Sequence, residues 1–122
     1  MKTLDTLLKN KSLSIICGIM ILVLCSIPSH ELPQNLGFSD KAEHFIAFGV
    51  WSFLTIYSFR NTFFTFIAGI LFGIGIEFWQ SILPESFHRS FDWYDAVADT
   101  IGVILGIIVF LAIHKAKLVE KE

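Results

Sequence analysis

The sequence predicts an all-α protein, a small bundle of four transmembrane helices formed by a chain of 122 residues. The composition is the first observation behind this fold class: 54% of the residues are hydrophobic, 16% are charged and the mean hydropathy is +0.67. An ordinary soluble domain has roughly 25% charged residues. The second observation is a series of four long apolar runs, since a helix needs about 17 to 25 residues to cross the hydrocarbon layer. The length allows one domain, covering 1–122.

The first two runs are bounded by residues that begin or end helices. Residues 12–27 form the first run, and Pro28 ends it because proline cannot continue a helix. Lysines before this short run can extend their ammonium groups to the interface. Residues 43–59 form the second run, with Ser39 or Asp40 as a suitable N-cap before it. Backbone polar groups in lipid must bond within their own segment, so both runs are predicted to be helices.

The last two runs complete the predicted bundle. Residues 62–83 form the third run, which ends before Pro84, and residues 95–113 form the fourth. The link between the second and third runs is so short that these helices must form an antiparallel hairpin. Small residues at GxxxG spacing let helix backbones approach closely, so we expect the third and fourth helices to pack through their two glycine pairs. The pairs are Gly69 with Gly73 and Gly102 with Gly106.

The distribution of charge predicts the orientation of the bundle. With the N-terminus inside, seven of the nine Lys and Arg residues are cytoplasmic, and Lys41 and Arg89 are outside, as the positive-inside rule favours. We therefore expect a multi-pass membrane protein with both termini cytoplasmic. The inner side then carries a net charge of +4 and the outer side −6, together with His30, His44 and His88. The formal net charge of −2 argues against a nucleic-acid partner, which requires a basic face.

Polar residues at the outer ends of the second and third helices are candidates for a site. Asp40 and His44 lie one turn apart on one helix face, and a carboxylate beside an imidazole can make it a general base or a ligand. Helix capping is the alternative explanation for the acids there. Glu77 lies within the third span, with Gln80 on the same face. An ionisable residue in a span usually faces the bundle interior and has a functional or pairing role.

A group of acids opens the fourth helix. Asp92, Asp95 and Asp99 are spaced three and four residues apart and form one stripe if the helix begins by Asp92. Their repulsion requires compensation by Arg89, a histidine, a metal ion or a cationic ligand. If the glycine pairs bring the third and fourth helices together, Glu77 and Asp99 approach one another near the outer surface.

The combined motif resembles that of the VanZ-like family of small bacterial membrane proteins, named for a protein linked to teicoplanin resistance. The resemblance covers about 39–106, and Asp99 departs from it because the family usually has Asn there. It implies a polytopic protein of the bacterial cytoplasmic membrane with an outward-facing polar motif and, for some members, protection against lipoglycopeptides. The matching residues are Asp40, Lys41, His44, Phe45, Phe48, Glu77, Gln80, Arg89, Asp92, Asp95 and Gly102.

Three functional hypotheses remain open at this point. A binding module would engage an envelope lipid, a cell-wall precursor or a lipoglycopeptide antibiotic. An enzyme acting on a lipid headgroup or wall precursor would use His44 with Glu77 or Asp92 as acid and base, with or without a bound metal. A structural or regulatory subunit would use the acids only to cap helices and to pair with Arg89 and Lys41. The candidate binding residues are Asp40, Lys41, His44, Glu77, Gln80, Arg89, Asp92, Asp95 and Asp99.

Overall fold

The computed structural model describes residues 2–28 and 40–120, with the side chains of 3–28 and 41–116. Regular structure in these residues is entirely helical, which confirms the predicted all-α class. A short 3-10 helix, Glu85–Phe87, precedes the last of five α-helices. The α-helices are α1 Lys2–Leu8, α2 Lys11–Ser26, α3 Asp40–Phe59, α4 Thr62–Ser81 and α5 Trp93–Glu120.

The four predicted runs correspond to α2, α3, α4 and α5, with ends that differ by a few residues. α3 begins at Asp40, before the apolar run, because the acids of its first turn complement the helix dipole. α4 ends at Ser81, two residues earlier than predicted, where a tight turn precedes Pro84. α5 begins at Trp93 and extends beyond residue 113, since the Lys and Glu residues of its tail favour helix. The hydropathy pattern does not predict α1, whose seven residues include two charges.

The hairpin predicted for α3 and α4 is present. Arg60 has a left-handed backbone conformation, with φ of 58°, which reverses the chain between the helices. Asn61 then caps α4 by accepting a hydrogen bond of 2.9 Å from the backbone N–H of Phe64. Further along the pair, the rings of Phe48 and Phe72 are centred 5.1 Å apart. The two helices therefore run antiparallel.

α5 packs along α3 in the parallel direction. His44 contacts Asp99 near the start of both helices, and the rings of Tyr57 and Phe110 meet edge to face, 5.4 Å apart, near the other end. α2 and α4 run in the opposite direction, so they end where α3 and α5 begin. We call this end of the bundle, where the residues around His44 and Asp99 lie, the polar end.

The two glycine pairs pack in different ways. Gly69 and Gly73 of α4 face α5 as predicted, and a Cβ atom on Gly73 would lie 3.0 Å from Cβ of Asp99. The glycines of α5 face α3 instead: Cβ atoms there would overlap the carbonyl oxygens of Phe45 and Gly49. The prediction that both pairs join α4 to α5 is wrong for the second pair, because spacing alone does not identify the partner helix. The second pair is Gly102 and Gly106.

The interior is an apolar core centred on α3, and the exterior is also largely apolar. Phe48, Ile56 and Val103 are almost completely buried in that core. The outward faces of the helices expose many large aliphatic side chains, among them Ile19 and Leu71, each more than half exposed. α4 and residues 93–116 of α5 are long and apolar enough to cross a membrane, and α2 is a shorter apolar helix.

Candidate functional site

Charged side chains from three helices converge at the polar end. α3 contributes its first two turns, α4 its last two turns, and α5 its first two turns together with Asp92, which directly precedes it, because these segments come together in the up-and-down arrangement. We call the resulting group the polar cluster. It consists of Lys41, His44, Glu77, Asp92, Asp95 and Asp99.

His44 lies between two carboxylates in the interior of this cluster. Its Nδ1 is 2.8 Å from Oδ1 of Asp99, and its Nε2 is 3.9 Å from Oδ2 of Asp95. The imidazole is 7% exposed and Asp99 is completely buried. A carboxylate oxygen accepts, so Nδ1 donates in the contact with Asp99. Asp99 thereby orients the ring and directs the second nitrogen towards Asp95.

Glu77 enters the same interior from α4. Its Oε2 accepts a hydrogen bond of 3.1 Å from the backbone N–H of Asp92. Its Oε1 is buried and accepts no hydrogen bond within the described part of the chain. Possible ligand atoms of Glu77, His44 and Asp99 all lie within 4.8 Å of one another. This geometry places Glu77 and Asp99 close together, as expected if the third and fourth helices meet.

Lys41 and two aspartates form the outer rim of the cluster. The Lys41 Nζ atom lies 3.2 Å from both Oδ2 of Asp92 and Oδ1 of Asp95, joining α3 to the start of α5. The backbone N–H of Tyr94 donates to Asp92, and this bond together with the Lys41 ammonium lowers the pKa of the Asp92 carboxyl. The rim is thus an ion-paired bridge between α3 and the start of α5.

Comparison with known proteins identifies the family of this chain. A family model described as VanZ/LLP1 matches residues 12–114. The chain belongs to the VanZ/LLP1 family. The uncharacterized protein C11E3.10 of Schizosaccharomyces pombe is 30% identical to it over 119 residues, which cover 91% of this chain and 69% of that protein. No solved structure matches the chain significantly.

The VanZ-like motif divides into two groups in the structure. Gln80 and Arg89 bind the end of α2, where Gln80 Nε2 donates to the carbonyl of Cys25 at 3.1 Å and Arg89 Nε and Nη2 donate to that of Ile27 at 3.0 and 2.9 Å. These two residues satisfy carbonyls at a helix C-terminus, which have no partner within the helix. Their visible role is to hold α2 at the polar end. The other motif residues with described polar side chains belong to the polar cluster.

Several residues that the sequence analysis names lie outside the described residues or away from the polar cluster. Asp40 begins α3, but its side chain lies outside the described residues, as do His30 and Ser39. The pairing of Asp40 with His44 therefore stays a prediction. His88 is exposed at the end of the 3-10 helix, with φ of 54°.

Two features of the site are not predicted from the sequence. The first is the contact of His44 with Asp99, which lies on another helix. The second is the space that Gly73 leaves for Asp99. Gly73 lies four residues before Glu77 and so on the same helix face, and this spacing is the sequence signal for a close contact there. Pairing of the acids with Lys41 is part of the structural-subunit hypothesis, and the structure identifies the paired acids as Asp92 and Asp95.

Proposed function

We propose that this VanZ-like protein is a multi-pass membrane protein in which α2, α3, α4 and α5 all span the bilayer, with both termini cytoplasmic. Two helices of sufficient length and apolarity support this, as do the aliphatic faces that the bundle turns outward. The excess of Lys and Arg at the opposite end of the bundle supports the orientation. The polar end would then lie at the outer surface of the cytoplasmic membrane.

We further propose that the polar cluster binds the headgroup of an amphiphilic molecule. The observation that carries this proposal is the convergence of buried His44, Glu77 and Asp99 beneath an ionic rim. Buried ionisable groups are costly in a membrane protein and are usually retained where they contact a ligand or one another. A binding site is the simplest reason for three of them to meet at one helix end.

The charge of the cluster favours particular headgroups. It contains four carboxylates against one lysine and one histidine, so hydroxyl and ammonium groups are suitable donors to it. Envelope lipids, wall precursors and lipoglycopeptides of the teicoplanin type can combine such groups with an apolar tail. A groove of about 410 Å³ between α2, α3 and α4, lined by Gly18, Trp51 and Phe72 among others, is a suitable place for an acyl chain. A relative occurs in a yeast, which favours a headgroup that is also present outside bacteria over one that occurs only in antibiotics.

Antibiotic sensitivity tests the lipoglycopeptide form of this proposal. Expression in a susceptible bacterial host is expected to lower sensitivity to teicoplanin more than to vancomycin, because the acyl chain of teicoplanin adds apolar contact with the bundle. Asp95→Asn removes one rim carboxylate and should reduce the effect, whereas Glu85→Gln alters an exposed acid of the 3-10 helix and should preserve it. Equal changes for the two antibiotics, or no change for either, would contradict the lipoglycopeptide assignment.

The pair formed by His44 and Asp99 favours an enzyme as the second candidate function. A buried carboxylate that orients an imidazole is an arrangement suited to general base catalysis. In a hydrolysis of a headgroup ester, His44 would take a proton from water as the water oxygen attacks, and the proton would pass to the departing oxygen. Glu77 is near enough to serve as the partner acid.

Turnover measurements distinguish the enzyme from the binding module. With protein in vesicles of phospholipid or wall-precursor lipid, His44→Ala and Glu77→Gln are each expected to abolish product formation measured by mass spectrometry. Circular dichroism should show that both variants remain helical, and Glu85→Gln should retain full turnover. Unchanged turnover in either site variant would reject the enzyme assignment.

A further inference from the structure

We propose that His44, Glu77 and Asp99 bind a divalent transition-metal ion at the centre of the polar cluster. The three residues come from three different helices, α3, α4 and α5, and are 7%, 0% and 0% exposed. One imidazole nitrogen and two carboxylate oxygens form a donor set typical of Zn²⁺ and related ions. The imidazole distinguishes this set from the all-oxygen sets that Ca²⁺ and Mg²⁺ prefer.

The separation of the donors is close to that of a metal site. Possible ligand atoms of the three residues lie within 4.8 Å of one another, whereas ligands about 2.1 Å from a tetrahedral ion are about 3.4 Å apart. Shortening these separations by up to about 1.4 Å would therefore complete the coordination. Water or a headgroup oxygen would take the fourth position.

An unsatisfied buried oxygen provides independent support. Glu77 is completely buried, and its Oε1 accepts no hydrogen bond within the described residues. Such an oxygen is costly in an apolar bundle, and a cation would satisfy it. Oε2 accepts from the backbone N–H of Asp92 at 3.1 Å, so the carboxylate is held in one orientation with Oε1 available to the ion.

The surroundings of His44 also match those of a metal-bound imidazole. Metal-bound histidines commonly direct their second ring nitrogen towards a carboxylate, and Nε2 of His44 lies 3.9 Å from Oδ2 of Asp95. Binding through Nδ1 would move the proton of the neutral ring from this nitrogen to Nε2, which faces Asp95, so the ion replaces the hydrogen bond to Asp99. Lys41 already balances part of the charge of Asp92 and Asp95 at the rim.

Metal titration of the full chain in detergent, without added lipid, tests the proposal. After chelation and dialysis, Zn²⁺ is expected to bind with one ion per chain by isothermal titration calorimetry. Co²⁺ should give a d–d absorption spectrum of nitrogen and oxygen ligation, without the thiolate charge-transfer band that ligation by Cys17 or Cys25 would produce. The absence of saturable binding of either ion would overturn the proposal.

Substitutions identify the ligands. Glu77→Gln, Asp99→Asn and His44→Gln should each weaken Zn²⁺ binding at least about tenfold, since they alter direct ligands. Glu85→Gln and His88→Gln change exposed residues of the same types and should leave the affinity unchanged. Unaltered affinity in folded Glu77→Gln protein would overturn the assignment.

A measurement on the unmodified protein tests the proposal even if the substituted variants fail to fold. Pulsed electron paramagnetic resonance of protein loaded with Cu²⁺ should show coupling to one imidazole, and its absence would equally overturn the proposal. The inference concerns the same residues as headgroup binding, and the experiments distinguish the two proposals. Absence of Zn²⁺ binding in detergent without lipid overturns the metal site alone, and unchanged sensitivity to teicoplanin contradicts the lipoglycopeptide proposal alone.

Discussion

Replacing Gly106 with alanine is expected to lower the free energy of unfolding by about 3 kcal/mol, the upper end of the usual effect of overpacking. A Cβ atom at this position would overlap Ser52 Oγ and the carbonyl oxygen of Gly49. The serine hydroxyl can rotate away, but the carbonyl belongs to the backbone of α3 and cannot move without separating the two helices. Reversible unfolding in mixed detergent micelles, followed by circular dichroism, measures the change.

The chain provides a matched control for this substitution. Gly75 on α4 has nothing within 4 Å of the position that its Cβ would occupy. Gly75→Ala should therefore leave stability unchanged or raise it by up to about 1 kcal/mol through the higher helix propensity of alanine. Similar effects of the two substitutions would show that α3 and α5 do not pack through Gly106.

Replacing Asp99 with alanine is expected to lower the free energy of unfolding by about 1 to 3 kcal/mol, the usual cost of leaving a buried polar group without its hydrogen-bond partner. His44 is buried against Asp99, with 2.8 Å between Nδ1 and Oδ1. Without the carboxylate, the ring N–H loses its acceptor in an environment that water reaches poorly. Unfolding should be measured in chelator, so that metal binding does not contribute.

A double-mutant cycle separates this pairing from the loss of volume. The double variant His44→Ala with Asp99→Ala should be more stable than the sum of the two single effects predicts, because neither group is left unpaired. Lys9→Ala, which removes an exposed partner of Asp5, serves as the comparison and should have no measurable effect. Strictly additive losses at His44 and Asp99 would contradict an energetic coupling between them.

The helices were predictable because the signals for them are local. Apolar runs, the proline at 84 and the cap at Asn61 act within a few residues of the helix ends that they determine. α1 has no such signal in its hydropathy. It contacts α3 through a hydrogen bond that Tyr57 donates to Asp5, and these two residues are more than fifty positions apart in the chain.

The candidate site was only partly predictable for the same reason. Glu77 could be identified because an acid within an apolar run is unusual wherever the helix packs. Arg89 was a candidate counter-ion of the acids, yet its guanidinium donates to the carbonyl of Ile27 at the end of α2. Charge indicates that a residue needs a partner, but it does not indicate which one.

The sequence by itself determined the helical class, the order of the four apolar helices and the concentration of acids and histidines at one end. Those properties follow from hydropathy and charge along the chain. The tertiary structure alone decided that Asp99 orients His44, that Lys41 bridges Asp92 and Asp95, and that the α5 glycines face α3. These pairings depend on how each helix is rotated against its neighbours, and that rotation is set by the packing of all the helices together.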